Sequence, residues 1–332
     1  MKSTENKVIL APPNPIKAIL SGFDAIANHI GLILFPVALD VFLWLGPHLR
    51  VKGLLENAIQ QFTSLPGLVT PETGDMVKLT REYWLAVAIR VNLFSALRSI
   101  PVGIPSLMVS RQPVVTPYGA PPFWEVSSLG VAALVWIMLT LVGMVLGALF
   151  FILIGQVTQG ERLDWRQTFS AWPRASLQVI LLALFWLAVL LAISIPASCA
   201  LTLAAVSGIG GSTLGIILYF GLVLWVMFPL AFSPLGILAD KRKVWPSVVD
   251  SVRLTRFTLP TTGLLFIIIV LISEGMDFLW NVPAESSWIT LLAVTGHAFI
   301  ATSLLATYFI YYRDATRWMQ RVVQQAKLSS IA

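Results

Sequence analysis

Several ionisable side chains stand inside long apolar stretches of this sequence, and the ones of interest are Asp40, Glu274, Asp277 and His297. Charged groups are costly in hydrocarbon and normally face a protein interior or water, so these positions are candidates for function. A carboxylate beside an imidazole stabilises the imidazolium form, and either group can relay a proton. The interpretation that we favour is structural, with these side chains joining helices by hydrogen bonds. The alternative is a site for a proton, an ion or a substrate.

A metal centre would need more ligands than these four residues supply. Only one of them is a histidine, and the sequence has no HExxH-type spacing. The single cysteine, Cys199, excludes an internal disulfide and a CxxC pair. The sequence also lacks a recognisable nucleophile–base pair, phosphate-binding loop or dinucleotide-binding glycine turn. We therefore expect no metal, no cofactor and no enzymatic activity.

The elements that must position these groups are six apolar stretches, each at least about as long as the ~20 residues that cross a bilayer as a helix. Their ranges are 23–46, 128–157, 176–206, 212–239, 260–281 and 287–312. Apolar residues make up 57% of the chain and charged residues 11%, which is typical of membrane proteins. We predict an all-α, polytopic membrane helix bundle with six transmembrane helices, forming a single membrane domain over 1–332.

Basic residues predict the orientation of the bundle. If each stretch crosses once, both chain ends share one side, and most of the 22 Lys and Arg residues lie there. The short opposite loops, 207–211 and 282–286, contain none. Because basic residues stay in the cytoplasm, we predict a bacterial cytoplasmic (inner) membrane protein with cytoplasmic N- and C-termini. The net charge of +6 then indicates anionic lipid, not nucleic acid, as the partner.

Amphipathic helical patterns precede the first, third and fifth predicted spans. The residues that mark the second and third patterns are Trp165, Phe169, Trp172, Trp245, Arg253 and Arg256. In the third pattern, Ser247 and Ser251 lie on the polar side of the helix. Residues 16–26 carry the first pattern. Tryptophan and basic residues on such helices are typical of the lipid headgroup layer. We predict interfacial elbow helices; the alternative is loop helices that pack on the bundle.

Residues 47–127 interrupt this regular pattern and predict an extracytoplasmic cap between the first two spans. Within it, residues 83–100 mix apolar side chains with Arg90, Asn92 and Arg98, which would make a membrane crossing costly. We expect an amphipathic helix over 83–100 that lies on the outer surface or caps the bundle. A short helix is expected over 55–62.

Two glycine pairs with GxxxG spacing predict close helix packing. Gly143 and Gly147 lie in the second span, and Gly211 and Gly215 lie at the start of the fourth. Small residues let two helices approach closely. We expect these contacts within the bundle; the alternative is contact between two copies of the chain.

Residues 232–256, FSPLGILADKRKVWPSVVDSVRLTR, resemble a feature of bacterial multi-span proteins that include the membrane domain beside glycerophosphodiester phosphodiesterases. The shared features are a span ending in Pro and small residues, an Asp-Lys pair, an amphipathic elbow and a further span. The runs 92–108, NLFSALRSIPVGIPSLM, and 39–47, LDVFLWLGP, are similar to stretches in uncharacterised six-span bacterial proteins. The resemblance implies a six-helix membrane domain. The phosphodiesterase barrel and its metal-binding acids have no counterpart here, so that activity is not expected.

These features predict a non-enzymatic membrane protein. The leading hypothesis is a structural or accessory protein, a subunit of or partner to a larger membrane assembly. The alternative is a small transporter or lipid-handling protein that uses Asp40, Glu274 and His297 in the outer half of the bundle. The expected partners are membrane lipids and other integral membrane proteins.

Overall fold

The computed structural model describes residues 12–63, 74–160, 163–206 and 212–329, and nearly all secondary structure in these ranges is helical. The α-helices are α1 (Pro15–Ala27), α2 (Leu34–Leu45), α3 (Lys52–Thr63), α4 (Gly74–Arg90), α5 (Met108–Arg111), α6 (Leu129–Thr158), α7 (Trp165–Val206), α8 (Ser212–Met227), α9 (Ser233–Leu238), α10 (Val244–Phe257), α11 (Leu259–Trp280) and α12 (Ile289–Ser329). Two short strands, β1 (His48–Arg50) and β2 (Phe123–Glu125), pair in parallel with His48 opposite Phe123.

Five of the described helices are long and apolar enough to cross a membrane. A sixth span is present if α1 and the helical residues that follow it count as one broken span. The predicted all-α class and the multi-pass helix bundle are confirmed.

The chain divides into two compact units. The first takes its residues from Met1–Asn28, Phe151–Leu271 and Ser303–Ala332, and the second from His29–Phe150 and Ile272–Thr302. Each unit has its own packed interior.

In the first unit, the ring of Phe232 lies at the centre of an aromatic group. It stacks on Tyr308 at 5.1 Å and on Tyr311 at 6.0 Å between ring centroids. The hydroxyl of Tyr311 reaches those of Thr261 and Thr262 on α11, at 2.8 and 3.0 Å. A buried phenol needs such a partner, so this contact fixes α11 against α12.

In the second unit, the buried interior joins α2, α5 and the start of α12. Its apolar members are Leu43, Trp44, Leu107, Met108, Ala293 and Val294. The indole N–H of Trp44 donates to the carbonyl of Glu285 at 2.9 Å. The interior therefore holds the cap segment against two membrane helices by both apolar contact and a hydrogen bond.

The predicted first span, 23–46, is not one helix. The helix α1 ends at Ala27, where the side chain and the N–H of Asn28 both donate to the carbonyl of Asp24, at 2.8 and 3.1 Å. A new helical segment begins at Ile30. The asparagine side chain uses the carbonyl that would otherwise accept only a backbone N–H, and the helix ends there. The apolar pattern alone does not reveal this helix end.

The second predicted elbow is not a separate helix, because α7 runs without a break from Trp165 to Val206. Pro173 lies inside it. No glycine or capping residue separates the amphipathic turns from the apolar ones, so the helix propagates through both. Trp165 and Phe169 are exposed and their rings stack, with Trp172 half-buried next to them.

The third predicted elbow is a separate helix, α10, but its packed face differs from the predicted one. Trp245, Arg253 and Arg256 are exposed, whereas Ser247 and Ser251 are buried. The sequence pattern had placed these serines on the polar side. They are buried because their hydroxyls meet backbone carbonyls in the broken fourth span.

That span is interrupted by proline after α8. Pro234 has no N–H to donate to the carbonyl of Leu230, and the hydroxyl of Ser233 donates to it instead, at 2.6 Å. The hydroxyl of Ser247 in turn donates to the carbonyl of Ser233, at 2.7 Å. In a membrane every freed backbone group needs such a partner, so α10 completes the broken helix.

Both ends of the amphipathic helix of the cap segment differ from the prediction, since α4 begins at Gly74 and not at residue 83. The helix expected over 83–100 ends at Arg90, and Asn92 starts a 3-10 turn, Leu93–Leu97, by accepting the N–H of Phe94 at 3.1 Å. Asparagine is a favoured residue at this capping position. The helix expected over 55–62 lies within α3.

Candidate functional site

Asp40 is fully buried in α2 and holds the cap segment in place. Its carboxylate accepts the backbone N–H groups of Leu107 and Met108, each at 3.0 Å, and the hydroxyl of Ser106. These donors lie at the start of α5, where the first N–H groups of a helix have no partner within it. Asp40 is thus a helix-capping residue supplied from 66 residues earlier in the chain.

His297 lies between two carboxylates. Its Nδ1 is 3.9 Å from an Asp40 oxygen, and its Nε2 is 3.9 Å from an Asp277 oxygen. Both distances are too long for direct hydrogen bonds but short enough for an ion pair or a bridging water. The buried Nδ1 of His297 and Oδ1 of Asp277 have no hydrogen-bond partner among the described residues. The pair can therefore accept a proton or a polar group of a ligand.

The close contact between Trp280 and Gly296 brings Asp277 and His297 together. The Trp280 ring, at the end of α11, lies where a Cβ on Gly296 would stand, at 2.4 Å. Because Gly296 has no side chain, α11 approaches α12 closely next to His297. Asp277 is less than one turn before Trp280 and so faces the imidazole across this contact.

Arg98 is the basic member of the same cluster. Its guanidinium donates to the carbonyl of Ser106 at 3.2 Å and interacts electrostatically with Asp40, Asp277 and His297. Its side chain is exposed, while 30% of the Asp277 side chain and 13% of that of His297 are exposed. The cluster is therefore open on one side.

The backbone that carries Arg98 packs against the middle of a membrane helix. A Cβ on Gly143 would lie 2.3 Å from the carbonyl oxygen of Leu97, and one on Gly147 would lie 2.9 Å from Gly103. The predicted contact of this glycine pair with another membrane helix is replaced by contact with the cap segment. Irregular backbone beside a membrane helix requires internal partners, and the hydroxyl of Ser99 supplies one, at 2.7 Å from the Val102 carbonyl.

A second group of charges ties the 281–288 connection to the cap. Arg111 donates to the carbonyl of Pro283 at 2.7 Å, and Glu285 pairs with Arg90 at 3.0 Å while accepting the N–H of Val114 at 3.0 Å. Burial lowers the pKa of Arg111, and the nearby Glu285 carboxylate opposes that shift. These contacts fix the α11–α12 turn above the His297 cluster.

The remaining predicted site residues lie apart from this arrangement. Glu274 is exposed, one turn before Asp277 on α11, and no direct contact of its carboxylate with His297 is found among the described residues. Gly215 packs against a side chain of α7, since its Cβ would lie 2.4 Å from Leu201. Gly211 lies outside the described residues. No group of three His, Cys, Asp or Glu side chains in the described ranges is placed to hold a metal ion.

Sequence reasoning missed two members of the cluster. Ser106 carried no signal, because a serine in a proline-rich loop is ordinary. Arg98 was noted only as a residue that makes a membrane crossing costly, and an arginine in an apolar setting is the signal that could have identified it. Its position near Asp40 and His297 depends on the fold of the cap.

The arrangement belongs to a multi-pass helical membrane protein with a polar cluster among its apolar helices. No family model matches this sequence, and comparisons with curated proteins and with solved structures find no match.

Proposed function

We propose that this protein binds the headgroup of a membrane lipid at the cluster of Arg98, Asp277 and His297. The observation that carries the proposal is the exposure of charges of both signs beside apolar membrane helices. Asp277 lies three residues before the end of α11 and His297 eight residues after the start of α12. At a rise of about 1.5 Å per residue, the cluster is roughly 5–12 Å from the helix ends. Such groups mark substrate paths in membrane proteins.

The charges favour a zwitterionic headgroup. Carboxylates outnumber the single guanidinium of the cluster, since Asp40, Asp277 and the nearby Glu274 stand against Arg98. The Asp40 carboxylate is buried and already accepts three capping bonds, which leaves Asp277 and Glu274 to meet an ammonium group. The guanidinium of Arg98 suits a phosphate, which it contacts in a bidentate manner. A phosphoethanolamine group carries both of these charges.

The distribution of basic residues supports a proposal for the membrane and for the orientation of the protein in it. We propose that the protein resides in a bacterial inner membrane with both chain ends in the cytoplasm, which places the Arg98 cluster in the outer leaflet. Tags on the two termini, probed for accessibility in intact cells, test this orientation. Labelling of either end from outside would contradict it.

Lipid retention tests the proposed binding. Protein in vesicles of phosphatidylethanolamine and phosphatidylglycerol is extracted gently, and native mass spectrometry counts the retained lipids. Asp277→Asn and Arg98→Gln should each reduce retained phosphatidylethanolamine, while Arg81→Gln, an exposed arginine of α4 outside the cluster, should not. An unchanged lipid profile in both cluster variants would refute the proposal.

A second function, that of an accessory subunit, is favoured by the poor packing of α8. Six of its large apolar side chains are each more than 60% exposed: Leu214, Ile217, Leu218, Phe220, Leu224 and Trp225. Its polar tie to α7 is a 2.8 Å bond between the hydroxyls of Ser194 and Tyr219. A membrane partner covering this face would be retained in mild detergent. A monomer on native sizing would argue against a stable subunit.

A further inference from the structure

A cavity of about 370 Å³ with a mixed polar and apolar wall lies in the first unit, between the end of α6, the first turns of α7 and the turn after α9. Its volume falls in the range of about 300–1,000 Å³ that is usual for ligand sites. Its wall carries three basic side chains, Arg174, Lys241 and Arg242, and no acidic side chain among the described residues. This cavity is separate from the Arg98 cluster and its residues have no part in that proposal.

The basic side chains of this cavity differ in their partners. Arg242 is paired with Asp240 at 3.3 Å and also with Asp250, so its charge is already matched. Arg174 and Lys241 form no ion pair with a described acidic residue. Two unmatched cations facing one cavity repel each other and favour an anion between them.

The turn that carries Lys241 is held in a fixed, uncommon conformation. Lys241 has a φ of 55°, in the left-handed region that non-glycine residues rarely adopt. The N–H of Arg242 closes the turn on the carbonyl of Gly236 at 3.1 Å, and the hydroxyl of Tyr312 fixes Asp240 at 2.8 Å. The paired Arg242 thus stabilises the turn, and Lys241 lies at the cavity without a described acidic partner.

Neutral donors complete the polar wall. Gln159, Gln167 and Ser170 line the cavity together with Gln178, whose carbonyl oxygen accepts the N–H of Val244 at 3.1 Å. That bond fixes the Gln178 side chain and leaves its NH₂ group as a donor. Amide and hydroxyl donors around two cations match an anion with several oxygens better than they match a single carboxylate.

The opposite part of the wall is apolar, with Ile152, Ile237 and Leu238. A free inorganic anion uses only the polar part, whereas a phosphoester uses both parts. The two other large cavities of the first unit include Asp240 or Asp250 in their walls. Those cavities also carry three basic side chains each, but an anion there would lie beside a carboxylate in the wall, which the lining of this cavity lacks.

We infer that this cavity binds a phosphate group, with Arg174 and Lys241 as the two cations that contact its oxygens. The same chemistry serves a phospholipid headgroup and a soluble phosphoester. The experiment below separates these two sources.

The test variant is Arg174→Gln with Lys241→Asn, because asparagine removes the charge and tolerates the left-handed backbone. The matched control is Arg166→Gln with Arg256→Gln, two exposed arginines outside the cavity whose loss changes the net charge equally. Full-length protein in neutral detergent is titrated with inorganic phosphate in one arm and with phosphatidic acid in mixed micelles of the same detergent in the other. Native mass spectrometry and thermal shift report binding.

The cavity variant should bind roughly 10- to 100-fold more weakly than wild type, since each of the two lost contacts contributes about a factor of three to ten. The control should stay within about twofold. Loss in the phosphate arm identifies a soluble ligand, and loss in the lipid arm alone identifies a headgroup. Equal binding by the cavity variant and the control, or no binding by wild type in either arm, overturns the inference.

A further variant and a further measurement guard against misfolding and against confusion of the two sites. Arg174→Lys keeps the charge and should restore most of the binding lost in Arg174→Gln. Retention of phosphatidylethanolamine, measured on the same cavity variant, reports the Arg98 cluster separately, so a failure of that proposal is distinguishable from a failure of this one.

Discussion

Replacing Asp40 by alanine should destabilise the protein strongly, because its carboxylate is the shared acceptor for three donors. The substitution leaves the backbone N–H groups of Leu107 and Met108 without acceptors inside the second unit. The hydroxyl of Ser106 can rotate toward another acceptor, but a backbone N–H cannot. At about 1–3 kcal/mol for each unsatisfied buried donor, the loss is about 2–6 kcal/mol.

The free energy of unfolding, measured by titration of the detergent-solubilised protein with dodecyl sulfate, reports this loss. Asp24→Ala is the matched control, since Asp24 is an exposed aspartate in another membrane-flanking helix and should change stability by less than about 0.5 kcal/mol. Asp40→Asn keeps one acceptor oxygen and should fall between the two. If Asp40→Ala were as stable as Asp24→Ala, the capping role of Asp40 would be wrong.

Variants of Asp40 and His297 separate the structural capping role from the ligand-binding role. Asp40→Ala and Ser106→Ala should couple by about 0.5–3 kcal/mol in stability, because the two side chains bond directly. His297→Gln should change lipid retention with little loss of stability, because neither of its ring nitrogens makes a short bond. A large stability loss in His297→Gln would show that the imidazole, too, is structural.

Three further predictions concern the second unit. Gly143→Ala should lower the free energy of unfolding by about 1–3 kcal/mol through the clash with the Leu97 backbone, offset by about 1 kcal/mol of gained helix propensity. The control Gly221→Ala has open space around the added Cβ and should not destabilise the protein. Equal unfolding curves for the two variants would contradict the Gly143 contact. Burial lowers the pKa of His48 below 6.5, so the contribution of His48 to stability is present above about pH 6.5 and is lost as the pH falls below that value. His48→Asn should therefore flatten that part of the pH–stability profile. An unchanged slope would contradict a role of His48 in the pH dependence. Glu285→Gln should loosen the cap by about 1–2 kcal/mol and speed hydrogen exchange at the cap amide that it accepts, and protection equal to wild type would exclude this role.

The membrane class was predictable because its signal is redundant. Each apolar stretch contains many residues that all point to hydrocarbon, so single exceptions do not obscure it. Asp40 and His297 stood out for the same reason, as charges in an apolar background. Helix ends depend on one or two residues, and Asn28 and Asn92 each ended or started a segment through one side-chain bond.

Contacts between residues far apart in the chain could not be predicted from local sequence patterns. The GxxxG pair in α6 correctly indicated a close approach, but its partner is the cap backbone near Leu97, which no local signal names. The serines of α10 looked like a solvent face because hydroxyls are polar. Only the proline break in the fourth span reveals why Ser247 is buried.

The length of α12 has a mechanical consequence. Its 41 residues span about 60 Å, roughly twice the hydrocarbon thickness, so about half of the rod stands clear of the bilayer. Arg313, Arg317 and Arg321 follow one another at four-residue steps along that half. A change in bilayer thickness that tilts the helix by about 10° would swing the tip by about 5 Å. Because the guanidinium of Arg313 donates to the carbonyl of Thr158 at 2.6 Å, such a tilt would also pull on the end of α6.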